Sequence, residues 1–371
     1  MAHMIENGML AYKGQTPWHG LGERVEKGST GKQMLVAAKM DWPVEALKLP
    51  GDKTIKASEL APWRAVTRMD NGHVFQIVSQ IYKPVQNEAI VDFFREYCEA
   101  GHAEMETVGA IRNGSTVWAL AKLNGGDATL KGGDKTKGYM LLATSHDGSI
   151  PTIGKPTMVR VVCNNTLTAA LSGWRRDARK GAPNFFRLIH NQKFDKAAQK
   201  QAQEVMGMAV QQMEASNEIA AQLAKVRFDE DARLEFVERL VLSGSVLDAV
   251  VETQYSGKNS EGSILDQAVA VTQRQTKEER EKRIGFIGRS ILEAIITSPG
   301  SDLASAKGTA WGAVNGATFY ADHGAKAFTH DNRLYNTWFG KNDSLKTKAM
   351  SVAIEMAGIQ TPNLDAVVAA S

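Results

Sequence analysis

Along the first half of the chain, short runs of alternating apolar and polar residues come in pairs, each pair joined by a turn signal. WRAVTRM (63–69) and HVFQIVSQ (73–80) flank Asp70, Asn71 and Gly72. Asn-Gly supplies the positive φ angles that a tight hairpin needs. The device returns in HAEMETVGAIRNGSTVWALAKL (102–123), with Asn113-Gly114 at the turn. Between the two pairs, Ile90, Phe93, Phe94 and Tyr97 recur at helical spacing and predict a helix from Asn87 to about Ala100. YMLLATSHDG (139–148) and PTMVRVVC (156–163) predict two further strands. The intervening GGDATLKGGDKTKG (125–138) is rich in glycine and lysine and reads as a mobile loop or fingertip. NNTLTAALSGW (164–174) opens like a helix, with Asn164 or Asn165 as its N-cap.

Beyond Phe194 the periodicity lengthens. KAAQKQAQEVMGMAVQQMEASNEIAAQLAKV (196–226) contains no proline and predicts one long helix, in which Met206, Met208 and Met213 read as core filling. DEDARLEFVERLVLS (229–243) has the acidic start that suits a helix N-terminus. TQYSGKNSEGS is a polar linker, and TKEEREKRIGFIGRSILEAIITS (276–298) reads as another single helix. Aromatic residues and glycines return in GTAWGAVNGATFYADHG and NRLYNTWFG, before a loosely held tail, TPNLDAVVAAS. The pattern therefore predicts an α+β protein, with a hairpin-rich antiparallel sheet and packed helices followed by a mainly helical C-terminal region. The expected divisions are an α+β nucleic-acid-binding core at 1–193, a helical region at 194–300 and a C-terminal helical, aromatic region at 301–371.

Composition narrows the class. With 43% hydrophobic and 23% charged residues in 371, the chain has the make-up of an ordinary globular protein. No secretory leader or membrane span is evident in it, so a cytoplasmic protein with no membrane partner is expected. Cys98 and Cys163 make neither a disulfide framework nor a zinc spacing and read as small buried apolar residues. Net charge is only +3, yet residues 151–200 carry ten Lys or Arg against two acids. The other 321 residues must then sum to −5, so the positive charge is a local footprint.

That footprint centres on SGWRRDARKGAPNFFRLIHNQ (172–192). Lys155, Arg160, Arg175, Arg176, Arg179, Lys180 and Arg187 are candidate phosphate contacts, because a guanidinium pairs bidentately with phosphate. Trp174 and Phe185 offer π faces to unstacked bases, which suits single-stranded nucleic acid better than a duplex. Lys131, Lys135 and Lys137 extend the surface from the neighbouring loop. The bland alternative makes Trp174 and Phe186 core and the arginines a solvated rim. GSIPTIGKP has one residue too many for a phosphate-binding loop and follows its lysine with proline, so no nucleotide cofactor is expected. Glu104, Glu106 and Asp147 permit a metal site for strand cleavage without indicating one, and exposed strand carboxylates are the simpler reading. His146, His323 and His330 have no nucleophile or ligand-spaced partner, so satisfied polar groups are expected.

TPWHGLG (16–22), YKPVQNEAIVDFF, the stretch from HDGS to VRVVCNNTLTAAL, and GTAWGAVNGATFYADH resemble, in order, the phage and plasmid-like proteins of a domain-of-unknown-function family. At a further remove, the hairpin-rich front and long helix resemble phage single-strand annealing proteins of the Red beta and RecT class. That second resemblance implies rings or helical oligomers that bind single-stranded DNA along a basic groove without ATP or a catalytic residue set. The expectation is thus a non-enzymatic, homo-oligomeric protein that binds and anneals single-stranded DNA. A metal-dependent nuclease and a structural or host-interaction protein are the rivals.

Overall fold

The computed structural model describes residues 9–14, 22–51, 53–161, 165–168, 186–242, 277–326 and 330–360. They fall into two units, one taking in residues up to 128, 135–217 and 326–340, the other 129–134, 218–325 and 341 onward.

The first unit is built on a nine-stranded sheet. Its strands are β1 (Leu10–Tyr12), β2 (Glu23–Arg24), β6 (Ala103–Ile111), β7 (Thr116–Leu123), β8 (Ala128–Leu130), β9 (Asp134–Ser145), β10 (Thr152–Arg160), β11 (Asn165–Thr168) and β12 (Phe186–Leu188). Across it the order is β11-β10-β9-β7-β6-β1-β2, with β12 also on β10 and β8 on β9. β3 (Val44–Lys48), β4 (Trp63–Arg68) and β5 (Val74–Ser79) form a separate antiparallel sheet. Both predicted hairpins are present, and the second turns on Arg112, Asn113 and Gly114 with φ of 54°, 55° and 91°. Those left-handed angles are what Asn and Gly tolerate and most residues resist.

Two expectations fail, both toward strand. Residues 125–138 form a hairpin whose second arm is the beginning of the long central strand β9. Its alternation is real but disguised, because Thr136 and Gly138 are buried while Lys135 is exposed and Lys137 partly so. Residues 165–168 form β11 and not a helix start; Asn165 pairs with Arg160 and Thr168 with Thr157. The open edge of β10 and the β-branched Thr166 and Thr168 outweigh the local capping signal.

Helices α1 (Gly31–Ala37), α2 (Ala57–Leu60), α3 (Asn87–Glu99) and α4 (Lys196–Leu223) accompany the strands. The predicted helical face of α3 buries Ile90, Phe93 and Phe94. Met213 of α4 is buried against Gly126 and Gly138, while the side chains of Met206 and Met208 lie outside the description. Tyr335, Trp338 and Phe339 of helix α9 (His330–Phe339) pack on Leu10, Trp118, Leu141, Ala143 and Ile153, on the sheet face opposite to that of Gly138. Cys98 is half-buried and free, and burial pushes its thiol above the ordinary range; Cys163 lies outside the described residues.

The second unit is helical: α5 (Glu230–Val241), α6 (Lys277–Arg283), α7 (Gly285–Thr297), α8 (Ala310–Phe319) running into a π-helical turn (Tyr320–Gly324), and α10 (Lys341–Met356). The single helix expected over 276–298 is two, broken at Gly285 where φ is 65°. Several buried polar groups are matched within the unit. Glu238 takes Arg280 at 2.7 Å and Arg283 at 2.5 Å, Lys346 pairs with Asp322 at 2.9 Å, and Asp134 accepts from Ser305 and the Trp311 indole. The linker 253–263 and the tail 361–371 lie outside the described residues. Among the described residues no helix is long and apolar enough to cross a membrane.

Candidate functional site

The basic surface read from the sequence divides in the structure. Lys155 is buried, with Nζ donating to the Trp338 carbonyl at 2.7 Å and lying 5.9 Å from the centroid of the Phe339 ring. Arg160 is fully buried as well. Both stand on β10, which is paired along both sides, and neither presents its charge to solvent. As placed, these two do not serve as phosphate contacts. Arg187 does face outward, between buried Phe186 and Leu188 on β12. Phe186 is core, as the bland reading had it. Trp174, Arg175, Arg176, Arg179, Lys180 and Phe185 lie outside the described residues. Their anchor points do not: Thr168 pairs with Thr157 and Phe186 with Gly154. The seventeen residues from 169 to 185 therefore join two points only three residues apart along β10, a separation of about 10 Å at strand rise.

The three carboxylates considered for a metal do not converge. Glu104 pairs with Lys122 and Lys122 with Tyr139, whereas Asp147 follows the far end of β9, about 20 Å along the strand. Among the described residues no group of His, Cys, Asp and Glu is placed to hold a metal ion. His146 is wholly buried beside Trp42 and Phe75. The Asn87 amide nitrogen donates to the Met40 carbonyl, so its oxygen faces His146 Nε2 at 3.0 Å and takes that proton. Nδ1 is left bare and without a partner.

Protonating Nδ1 would bury a charge, and desolvation first, then nearby His190, lowers the His146 pKa to about 3. The unfolded chain keeps a value near 6.5, so it gains the proton first as pH falls. Stability is then complete above about pH 6.5 and is lost progressively toward pH 3. Between pH 7 and 5 the loss from His146 should be ~2 kcal/mol, measured by urea unfolding. His146→Gln should flatten that slope, and an unchanged slope would place the acid sensitivity elsewhere.

The structure does gather charge at a place that the sequence did not mark. A cleft of about 600 Å³ in the first unit is lined by Lys13, Arg24, Lys27, Lys122 and Lys137 together with Glu26, Glu104 and Glu106. Its floor is the polar end of a sheet face. Glu104, Lys122, Tyr139 and Thr157 are direct cross-strand neighbours on β6, β7, β9 and β10, and so share that face. An irregularity between Met105 and Thr107 adds Glu106, which receives the Tyr139 hydroxyl. The Lys13 amide donates to the Glu106 carbonyl at 2.8 Å and fixes the end of β1 over this bulge. Burial raises the Glu106 carboxyl and the Tyr139 phenol and lowers the Lys13 ammonium, so each is pushed toward its neutral form. Lys122 is taken up by Asp127 at 3.0 Å. Of the three loop lysines expected to extend the basic surface, Lys137 belongs to this cleft and Lys131 and Lys135 are exposed.

Fold and sites together define an α+β protein with a charged cleft on a mainly antiparallel sheet, whose strands β11 and β12 flank the basic aromatic sequence 169–185. The chain belongs to the DUF932 family, a domain of unknown function, whose profile matches residues 74–345. Nothing among curated proteins or solved structures matches it.

Proposed function

We propose that the protein binds single-stranded DNA without ATP and promotes annealing of complementary strands, acting as a homo-oligomer in phage-type recombination. The observation that carries this reading is the connection 169–185, which holds Trp174, Arg175, Arg176, Arg179, Lys180 and Phe185 and is tied at both ends to one strand of the sheet. Exposed Arg187 continues its charge onto β12. The order of hairpins and then the long helix α4 fits the resemblance to annealing proteins. Neutralised phosphates would lower repulsion between two strands, and bases stacked on aromatic faces would remain open to pairing.

Matched single-stranded and duplex oligonucleotides should differ in affinity by well over about tenfold at moderate salt. Light scattering should report an oligomer, and fluorescently labelled complementary strands should anneal faster with the protein than without it. Equal affinity for duplex and single strand would remove the stacking component. A strict monomer, with and without DNA, that leaves the annealing rate unchanged would end the annealing reading.

A further inference from the structure

We propose that the cleft where the ends of β1 and β2 meet β6, β7 and β9 binds a terminal phosphate group, that of a free nucleotide or of a 5′-phosphorylated strand end, through Lys13, Arg24, Lys27 and Lys137. None of these four cations has an ion-pair partner among the described residues. Lys13 decides the matter, because it lines the cleft while only 9% exposed. Glu104 attracts the Lys13 ammonium without forming an ion pair, burial outweighs that attraction, and a bound anion lowers the remaining cost. A phosphomonoester meets this need well, since it carries about −1.5 to −2 charge at neutral pH and three acceptor oxygens.

The carboxylates narrow the ligand further. Glu26, Glu104 and Glu106 stand among the cations and would repel a run of successive phosphodiesters threaded through the cleft. They would instead accept from the hydroxyl or amino groups of one nucleotide unit. The volume of about 600 Å³ lies within the range of small-ligand pockets. None of the residues that line the cleft belongs to 169–187, and phosphate binding there does not depend on the strand-binding reading, because it needs an end or a free nucleotide and not an internal stretch of strand.

Calorimetry with thymidine 5′-monophosphate and with thymidine tests it directly. The monophosphate should bind at least about tenfold more tightly, with Lys13→Met abolishing most of the difference and Lys137→Gln reducing it about fivefold. Should Lys13→Met fail to fold, Lys137→Gln and Arg24→Gln, at more accessible positions, carry the comparison. A linear oligonucleotide with a 5′-phosphate, its 5′-hydroxyl counterpart and a circular single strand separate the sources. Preference for the phosphorylated linear strand, lost in Lys137→Gln while circular DNA binds that variant as before, identifies a strand-end site. Response of the free nucleotide alone identifies a small-molecule site. Equal binding of thymidine and its monophosphate, or affinities untouched by all three substitutions, overturns the proposal. Loss of circular-strand binding in the parent protein would count against the strand-coating reading and leave this one standing.

Discussion

A variant with Arg175, Arg176 and Arg179 all replaced by alanine is expected to bind single-stranded DNA with a plot of log affinity against log salt that is shallower by about 2. Each phosphate contact on a single strand contributes ~0.7 to that slope through counterion release, and three contacts are removed. Over a fourfold rise in salt, a slope change of about 2 makes the parent lose roughly 16-fold more affinity than the variant. Folding should be little changed. Were these arginines paired with acids of the protein instead, the variant would melt lower while its remaining DNA binding kept the parental slope. Trp174→Ala tests the aromatic half separately. A loss of ~1 to 3 kcal/mol in affinity at constant slope and unchanged melting temperature means stacking on bases. A fall in melting temperature would mean that Trp174 is a packing residue.

The hairpins and α3 were legible because their signals are local: an Asn-Gly turn between alternating runs, and apolar residues at helical spacing. Residues 165–168 were not, because what makes them a strand is the side of β10 that β9 leaves open, a partner distant in neither sequence nor space but invisible to a capping rule. The start of β9 was hidden by composition. Glycine and lysine at 132–138 suggested a loop, although the lysines alternate with Thr136 and Gly138 as strand positions should. Among the candidate phosphate contacts, Arg187 is on the surface whereas Lys155 and Arg160 are inside. Counting charges along the chain cannot distinguish these, since all three sit in strands and only register decides which way they point.

The cleft was illegible for a different reason. Lys13 directly follows β1, Arg24 ends β2, Glu104 and Glu106 come from β6, Lys122 from β7 and Lys137 from β9, so no window of sequence contains them. The available clue was parity. Glu104 and Lys122 share a face once the hairpin at Asn113-Gly114 is registered, and Tyr139 joins them when β9 is placed beside β7. Strand order, which put β9 and not β8 there, was the missing information.

Gly316→Ala is expected to destabilise the helical unit by roughly 3 kcal/mol or more, at the upper end of what overpacking costs. A Cβ on Gly316 would lie 2.4 Å from Cα and 2.5 Å from the amide nitrogen of Ile295. Those are backbone atoms of α7, so no rotamer change can relieve the contact. Gly312, one turn earlier on α8, is tighter still, with a Cβ 1.9 Å from the Ala306 carbonyl oxygen. The two glycines thus let α8 approach α7 and the 301–309 segment at backbone distance, in a helix buried along residues 310–318. In helix propensity alone, alanine for glycine should stabilise by up to ~1 kcal/mol, so the substitution tests packing against propensity with opposite signs. Gly207 in α4 supplies the control, because a Cβ there meets nothing within 4 Å. Thermal melts followed by circular dichroism should show Gly207→Ala at or slightly above the parent and the helical unit of Gly316→Ala melting lower by about 10 °C, at ~2 to 4 °C per kcal/mol for a unit of its size. If Gly316→Ala melts with the parent, α7 and α8 do not meet at backbone distance in solution, and the glycines of GTAWGAVNGATFYADHG require another explanation.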